Sequence, residues 1–328
     1  MSATSTRTSP AAAITLTIAA AAAGAFAWGA LIERTRWTLR RADVPGLPPG
    51  AQPVRVLHLS ALHMAPWQRD KQEWVRGLAE LEPDLVVNTG DNLGHERGLE
   101  GVRHALEPFR GIPGVFVNGS NDYYGPAIRN PIAYFGGPSG PGSRPKVLDI
   151  GALHEFFGEL GWADVDNAAT SFDIRGTRFE FFGVDDPHRG YDRLDVIAGA
   201  IDELRANDPL GDDTWPDEAS VTDRRRPTVT VGVTHAPYQR VLNSFVNHGA
   251  QLMLAGHTHG GQVCLPRFGA LVTNCDIPRQ QAKGLSVWRH GLRSAFLNVS
   301  AGLGTSIYAP VRFACPPEAS LLTLVPAD

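Results

Sequence analysis

Residues 251–262 read QLMLAGHTHGGQ: a short apolar run, a glycine, two histidines one residue apart, and two further glycines. The apolar part has the length and composition of a buried strand, and the histidines stand where that strand would end. If the chain stays extended there, His257 and His259 point the same way, and the glycines let another group come close. Four earlier stretches repeat the arrangement. VRVLHLSALH (54–63), LVVNTGDN (85–92), VFVNGSND (115–122) and VTVGVTHAP (229–237) each pass from β-formers into a turn carrying His, Asp or Asn. Helical patterns fall between and after them, at Asp70–Glu82, Leu99–Phe109, Leu148–Leu160, Tyr191–Ala206 and Gln239–His248. A hairpin is expected around Gly176. Strand and helix in alternation predict a layered α/β domain, and in open α/β sheets the strand ends converge on one crevice where ligands bind.

The residues at those ends are His63, Asp91, Asn121, His235, His257 and His259. One such histidine alone reads as a satisfied structural residue. Four imidazoles with a carboxylate and a carboxamide, all at strand ends, read as a divalent-metal site. Asp185 and Asp186 are read either as a supporting pair near the site or as a turn, and His58 as a core or supporting residue within its strand. Tyr123, Tyr124 and the Gly/Pro-dense insertion over 123–147 are read as a structural loop rather than a lid.

Composition limits the alternatives. Of 328 residues, 43% are hydrophobic and 20% charged, which allows a sizeable core and excludes a wholly disordered chain. The net charge of −4 argues against a nucleic-acid binder. Three cysteines, Cys264, Cys275 and Cys315, are too few for a disulfide framework and match no zinc-finger spacing. The acidic stretch Asp208–Asp223 reads as a solvated loop.

The amino terminus stands apart. No charge interrupts residues 11–32, a run long enough to cross a bilayer, so 1–10 is read as a tail and 11–32 as a transmembrane anchor. A cleaved signal peptide, with Ala25-Phe26-Ala27 as its processing site, is the competing reading and would mean export. The anchor is preferred because the apolar run continues past that site. Arg34, Arg36, Arg40 and Arg41 outnumber Arg7, a weak lean towards a cytoplasmic domain. Residues 33–53 are a connection with a possible first strand, and 54–325 the main domain.

The ordered set S-x-L-H, T-G-D, G-x-N-D, T-H-A-P and G-H-T-H-G-G-Q resembles the calcineurin-like metallophosphoesterases. The finish Cys315-Pro316-Pro317-Glu318 is similar to their membrane-associated bacterial branch. That resemblance implies a four-layer α/β/β/α sandwich, preceded here by the hydrophobic helix. It implies a dinuclear centre of Mn, Fe, Zn or Co hydrolysing phosphodiester or pyrophosphate bonds by metal-activated hydroxide. Asp91 would bridge the ions, with His63 and His259 on the first and His235 and His257 on the second. Substrates of the branch include UDP-2,3-diacylglucosamine, so a lipid-linked phosphate is an expected substrate class.

Three motifs depart from the family pattern. Ala61 stands where D-x-H has its aspartate, so the first ion loses a ligand and a charge, and only one ion is held if that loss is decisive. In the third motif Ser120 and Asn121 replace Asn and His. Asn121 is preferred over Ser120 as the ligand, because a carboxamide oxygen suits a metal better. Ala301 stands where the branch often has an arginine, removing a phosphate contact. These changes support an alternative, a catalytically silent or impaired binding protein on the same fold.

Overall fold

The computed structural model describes residues 9–126, 130–136, 146–208, 228–306 and 308–327. In chain order the elements are α1 (Pro10–Ala27), β1 (Thr38–Leu47), β2 (Val54–Leu59), α2 (Arg69–Gly77), β3 (Leu85–Asn88), α3 (Gly98–Leu106) and β4 (Gly114–Phe116). Then come α4 (Ser120–Tyr123), α5 (Ile150–Leu160), β5 (Trp162–Asp164), β6 (Ala169–Ile174), β7 (Thr177–Val184) and α6 (Ile197–Ala206). The chain closes with β8 (Thr228–Thr234), α7 (Gln239–Asn247), β9 (Leu252–Ala255), β10 (Cys264–Leu265), β11 (Gly269–Ala270), β12 (Gly284–His290), β13 (Arg293–Val299) and β14 (Glu318–Pro326).

Two six-stranded sheets result, ordered β1-β14-β2-β3-β4-β5 and β12-β13-β9-β8-β7-β6. Their facing residues, among them Val56, Val87, Val115, Phe181, Val231 and Leu254, form the central core. Strands covered on both faces read as continuous apolar runs, which is why no alternation marks LVVN or LMLA. Outside the first sheet Val75, Val102, Phe156 and Phe157 bury the inner faces of α2, α3 and α5. Outside the second, Ile201, Leu242 and Phe245 of α6 and α7 pack on Phe182 and Met253. Helix, sheet, sheet, helix is the four-layer sandwich that the family resemblance implies, each buried Leu, Val or Phe contributing about 1.5–3 kcal/mol of transfer free energy.

Local chemistry sets several boundaries. Asp149 caps α5 by accepting from the Ala152 N–H at 3.0 Å, and Gly161 stops that helix at φ 88°. The helical pattern over Tyr191–Ala206 becomes a helix only from Ile197. Upstream, the Asn167 carboxamide holds the Tyr191 carbonyl at 3.2 Å and the Arg193 N–H at 2.7 Å, fixing a turn there. The acidic stretch lies outside the described residues from 209 onward, as does much of the insertion at 123–147.

Residues 38–47 form β1, which pairs in parallel with β14 and puts Val44 and Leu47 into the central core. The sheet therefore starts close behind the apolar helix. From Pro10 to Thr35 the chain is helical, with mean hydropathy 1.7 and its apolar window wholly exposed, long and apolar enough to cross a membrane. Its last turns dock on the domain. The Gly29 carbonyl accepts from the Arg312 N–H at 3.2 Å, and buried Glu33 accepts from the Cys315 N–H at 2.6 Å and the Trp28 indole N–H at 2.8 Å.

Candidate metal centre

The ends of β2, β3, β8 and β9, with α4 after β4, bring the six residues named from the sequence together. His63 Nε2 lies 3.3 Å from His259 Nε2, and His235 Nε2 lies 3.3 Å from His257 Nδ1. Asp91 sits between these pairs, its Oδ2 3.5 Å from both His63 Nε2 and His235 Nε2. Asn121 donates its backbone N–H to Asp91 Oδ1 at 2.8 Å and its side-chain amide to Oδ2 at 2.9 Å. All but the half-buried Asn121 are buried.

The backbone is bent to reach this geometry. Ala61, His63, Asp91, His257 and His259 take φ of 46°, 40°, 59°, 65° and 49°, the left-handed region that non-glycine residues enter at a cost of about 1 kcal/mol or more. The extended backbone expected at His257–His259 is therefore not found. β9 ends at Ala255 and a tight turn follows, so the two imidazoles go to different partners, His257 to His235 and His259 to His63. Gly119 makes room: a methyl there would overlap Asp91 Oδ1 and lie 2.6 Å from His235 Cε1.

Hydrogen bonds fix which nitrogens carry protons. His235 Nδ1 donates to the Thr89 carbonyl at 2.6 Å, and His257 Nε2 donates to the Asn274 carbonyl at 3.2 Å. Each ring then aims its remaining lone pair at the other and, for His235, at Asp91 Oδ2. Three acceptors facing one another at this range need a cation between them. In the metal-free chain a proton takes that place: burial alone would lower His235, but Asp91 and Asp186 raise it to about 10. Burial pushes His63 down to about 4 and, with neighbouring histidines adding to it, holds His257 and His259 well below the usual range. Burial pushes Asp91 up, yet His235, His63 and the Asn121 N–H prevail and hold it well below the usual carboxylate value. Three neutral imidazoles and a fourth, His235, whose proton a cation would replace surround an ionised carboxylate; this is a donor set a divalent metal can use, so the residues fit the ions the resemblance implies.

A second ring of contacts holds these groups. Asp122 accepts from the N–H groups of Asp91, Asn92 and Gly119 at 2.8, 2.7 and 3.0 Å. Ser120 does not contact Asp91; its hydroxyl donates to Asp186. Buried Lys71 donates to the Leu62 and His63 carbonyls at 2.5 and 3.1 Å, and burial with Arg312 nearby lowers it to about 7. Arg312, wholly buried, donates to the carbonyls of Ala301, Gly302 and Gly304 and reaches the His259 carbonyl at 3.4 Å. Asp186, one of the two aspartates weighed in the sequence, is buried beside the centre and also accepts from the His188 N–H at 2.8 Å. Tyr123 lies against Asp185 instead, its hydroxyl donating to that carboxylate at 2.8 Å.

Lys71 and Arg312 were not singled out from the sequence, and neither were His188 and Arg189. The His188 ring lies 4.5 Å from that of His257, and Arg189 donates to the Ser120 hydroxyl at 3.2 Å. The tripeptide Pro187-His188-Arg189 right after the aspartate pair was the available signal. Ala61, 1% exposed, faces the Gly302 backbone, and Asp70 is exposed.

The chain belongs to the calcineurin-like phosphoesterases: the family model matches residues 54–261. It is thus a hydrolase of phosphate esters in a family that uses divalent metal ions. Two Bacillus subtilis (strain 168) relatives extend over most of it. One, the uncharacterized metallophosphoesterase YkuE, is 23% identical over 303 residues, 90% of this chain and 86% of the relative. The other, the uncharacterized protein YpbG, is 25% identical over 281 residues, 84% and 82% respectively. Among solved structures, TT1561 of Thermus thermophilus superposes with a TM-score of 0.39 at 14% identity, covering 77% of this chain and 91% of that one. A dimetal phosphatase from Danio rerio gives a TM-score of 0.40 at 11% identity, covering 77% and 88%.

Proposed function

We propose that the chain is a membrane-anchored hydrolase of phosphodiester or pyrophosphate bonds, acting on a lipid-linked phosphate such as a nucleoside diphosphate-linked acylated sugar. The observation that carries the catalytic part is the facing lone pairs of His235, His257 and Asp91, an arrangement satisfied by a cation. His63 and His259 would hold one ion, His235 and His257 a second, with Asp91 shared and Asn121 contributing its carboxamide. Two bound divalent ions supply an activated water and neutralise charge on the attacking and leaving oxygens. Mixed nitrogen and oxygen donors favour Mn, Fe, Zn or Co.

The chain's own residues do the rest. Asn121, where the family carries a histidine, has an amide N–H to offer a phosphoryl oxygen but no proton to give a leaving group. Activity therefore favours substrates whose leaving group departs unprotonated, such as a phosphate or phosphate ester. Arg189, beside Ser120, supplies a guanidinium for the phosphate in place of the arginine absent at Ala301. The exposed apolar helix supports the lipid-linked class.

Metal content and bis-p-nitrophenyl phosphate hydrolysis with added Mn²⁺ test the catalytic part. Two ions per chain and turnover that ends with chelation are expected. Ala61 favours one other reading, a silent binding protein, and metal binding without turnover would establish it.

A further inference from the structure

A cavity of about 420 Å³ opens between the root of the apolar helix and the metal centre. Its lining includes His63 of the metal centre with buried Lys71, Arg34 and Trp37 from the root of the helix, and the exposed Trp67 and Arg69. No single sequence motif points to it, because its lining comes from four separate stretches, 34–37, 63–71, Gly94 and 303–310. We propose that it is the seat of the anionic, phosphate-bearing headgroup of a lipid lying in the same membrane as the helix. This rests on the lipid-linked reading above and adds to it where the headgroup sits and what holds it.

Charge comes first. Arg34 and Arg69 line the cavity against one carboxylate, Asp70; Lys71, also in the lining, is buried and committed to the Leu62 and His63 carbonyls. Arg34 is exposed and has no hydrogen bond or ion pair among the described residues, and Arg69 reaches only the Gln72 carboxamide, at 3.2 Å. Two guanidiniums in one lining, Arg34 unpaired and Arg69 without a direct ion pair though within reach of the Glu73 and Glu100 charges, are suited to bind a phosphate through paired N–H donors. The Trp37 ring, also on the wall, is half-buried and packs against Trp74 with centroids 6.5 Å apart.

Size and position name the source of the anion. The volume suits a phosphorylated polar group and is too small for acyl chains as well, since sites for small ligands run to several hundred Å³. The chains must stay outside. Arg34 and Trp37 directly follow the apolar helix, so with that helix in a bilayer the cavity mouth lies at the headgroup level. Trp67 on its rim is 67% exposed and Trp28 on the helix is 40% exposed, the amphipathic rings that favour a membrane interface. A lipid then enters sideways, its phosphate held by Arg34 and Arg69 at the wall formed by His63, where the scissile bond meets the metal centre.

The full chain in phosphatidylcholine vesicles tests this with two substrates sharing one leaving group. The lipid-borne substrate is the p-nitrophenyl ester of phosphatidic acid, and the soluble one is bis-p-nitrophenyl phosphate. The wild type should show the higher kcat/KM on the lipid-borne ester. The Arg34→Ala/Arg69→Ala variant should lose that preference roughly tenfold or more, mostly through KM, as expected for two charge-assisted hydrogen bonds. If the wild type shows no preference for the lipid-borne ester, the lipid-linked reading falls and takes the cavity assignment with it. If it shows the preference and the double variant keeps it, the cavity assignment alone falls. Inhibition by sn-glycerol 3-phosphate separates the sources of the anion: as strong as that by short-chain phosphatidic acid, it would make the cavity a free-phosphate site and overturn the lipid assignment.

Discussion

Replacing Ala61 with aspartate should make the protein's stability depend strongly on metal. Ala61 is 1% exposed, lies against the Gly302 backbone and takes φ 46°. Aspartate tolerates that conformation better than alanine, so the backbone term favours the change slightly. Charge decides the outcome without metal. A second carboxylate buried in the site that already holds ionised Asp91 costs several kcal/mol when no cation compensates it. With metal the sign reverses. Losing a mere supporting partner of a metal ligand costs 10- to 100-fold in affinity, so gaining a direct ligand should tighten binding by about 100-fold, roughly 2.7 kcal/mol. Thermal melts of both proteins in chelator and in Mn²⁺, with bound metal counted, read both effects. The variant should melt below the wild type in chelator, gain more from Mn²⁺, and hydrolyse bis-p-nitrophenyl phosphate faster. Equal gains from Mn²⁺ in the two proteins would refute the reasoning, because position 61 would then lie away from the ions.

Further outcomes follow from single contacts. Gly119→Ala places a methyl on Asp91 Oδ1 and against His235, so bound metal should fall sharply and turnover by about a hundredfold, while circular dichroism stays that of the wild type. Glu33→Ala leaves the Cys315 and Trp28 N–H groups without acceptors, costing about 1–3 kcal/mol locally, and should speed tryptic cleavage at Arg34 and Arg36 without reducing bound metal. His58 is held neutral between Thr89 at 3.0 Å and Asn298 at 2.9 Å, and burial lowers it to about 3. The unfolded chain binds this proton from about pH 6.5 downward and the folded chain only near pH 3. Stability from His58 is therefore complete above pH 6.5 and lost as pH falls through that window, and His58→Gln should flatten the acid limb of a denaturation profile.

What the sequence made legible was what a strand end carries. His63, Asp91 and His235 each follow a run of buried β-formers, so the period of the strand and the turn residue after it locate them together. His257 and His259 were legible as a pair but not in their pairing, because the turn after β9 depends on left-handed φ at both residues, and no side-chain pattern announces that at a histidine. The roles of Ser120 and Asn121 depended on where α4 begins: one turn starting after Gly119 sends the Asn121 amide to Asp91 and the Ser120 hydroxyl to Asp186. Four residues cannot display a helical period, so the motif alone left the two open.

The same physics explains why the root of the apolar helix escaped notice. Read as a sequence, residues 28–36 end a hydrophobic segment and begin a basic one. In the fold they are part of the domain's wall. The Gly29 carbonyl takes the Arg312 N–H, Glu33 takes the Cys315 N–H, and Arg312 in turn holds the carbonyls of Ala301, Gly302 and Gly304 and approaches that of His259. Gly29 is fixed at this contact, since a side chain there would strike the Arg312 carbonyl. The last turn of the helix is thus two contacts from an imidazole of the candidate metal centre, with no free linker between. A helix that served only as a tether would need length and flexibility behind it, and this one has neither. Its rigid seat beside the 420 Å³ cavity, with Arg34 and Trp37 on the cavity wall, supports the proposal that this helix anchors the chain and sets how the site would meet a membrane.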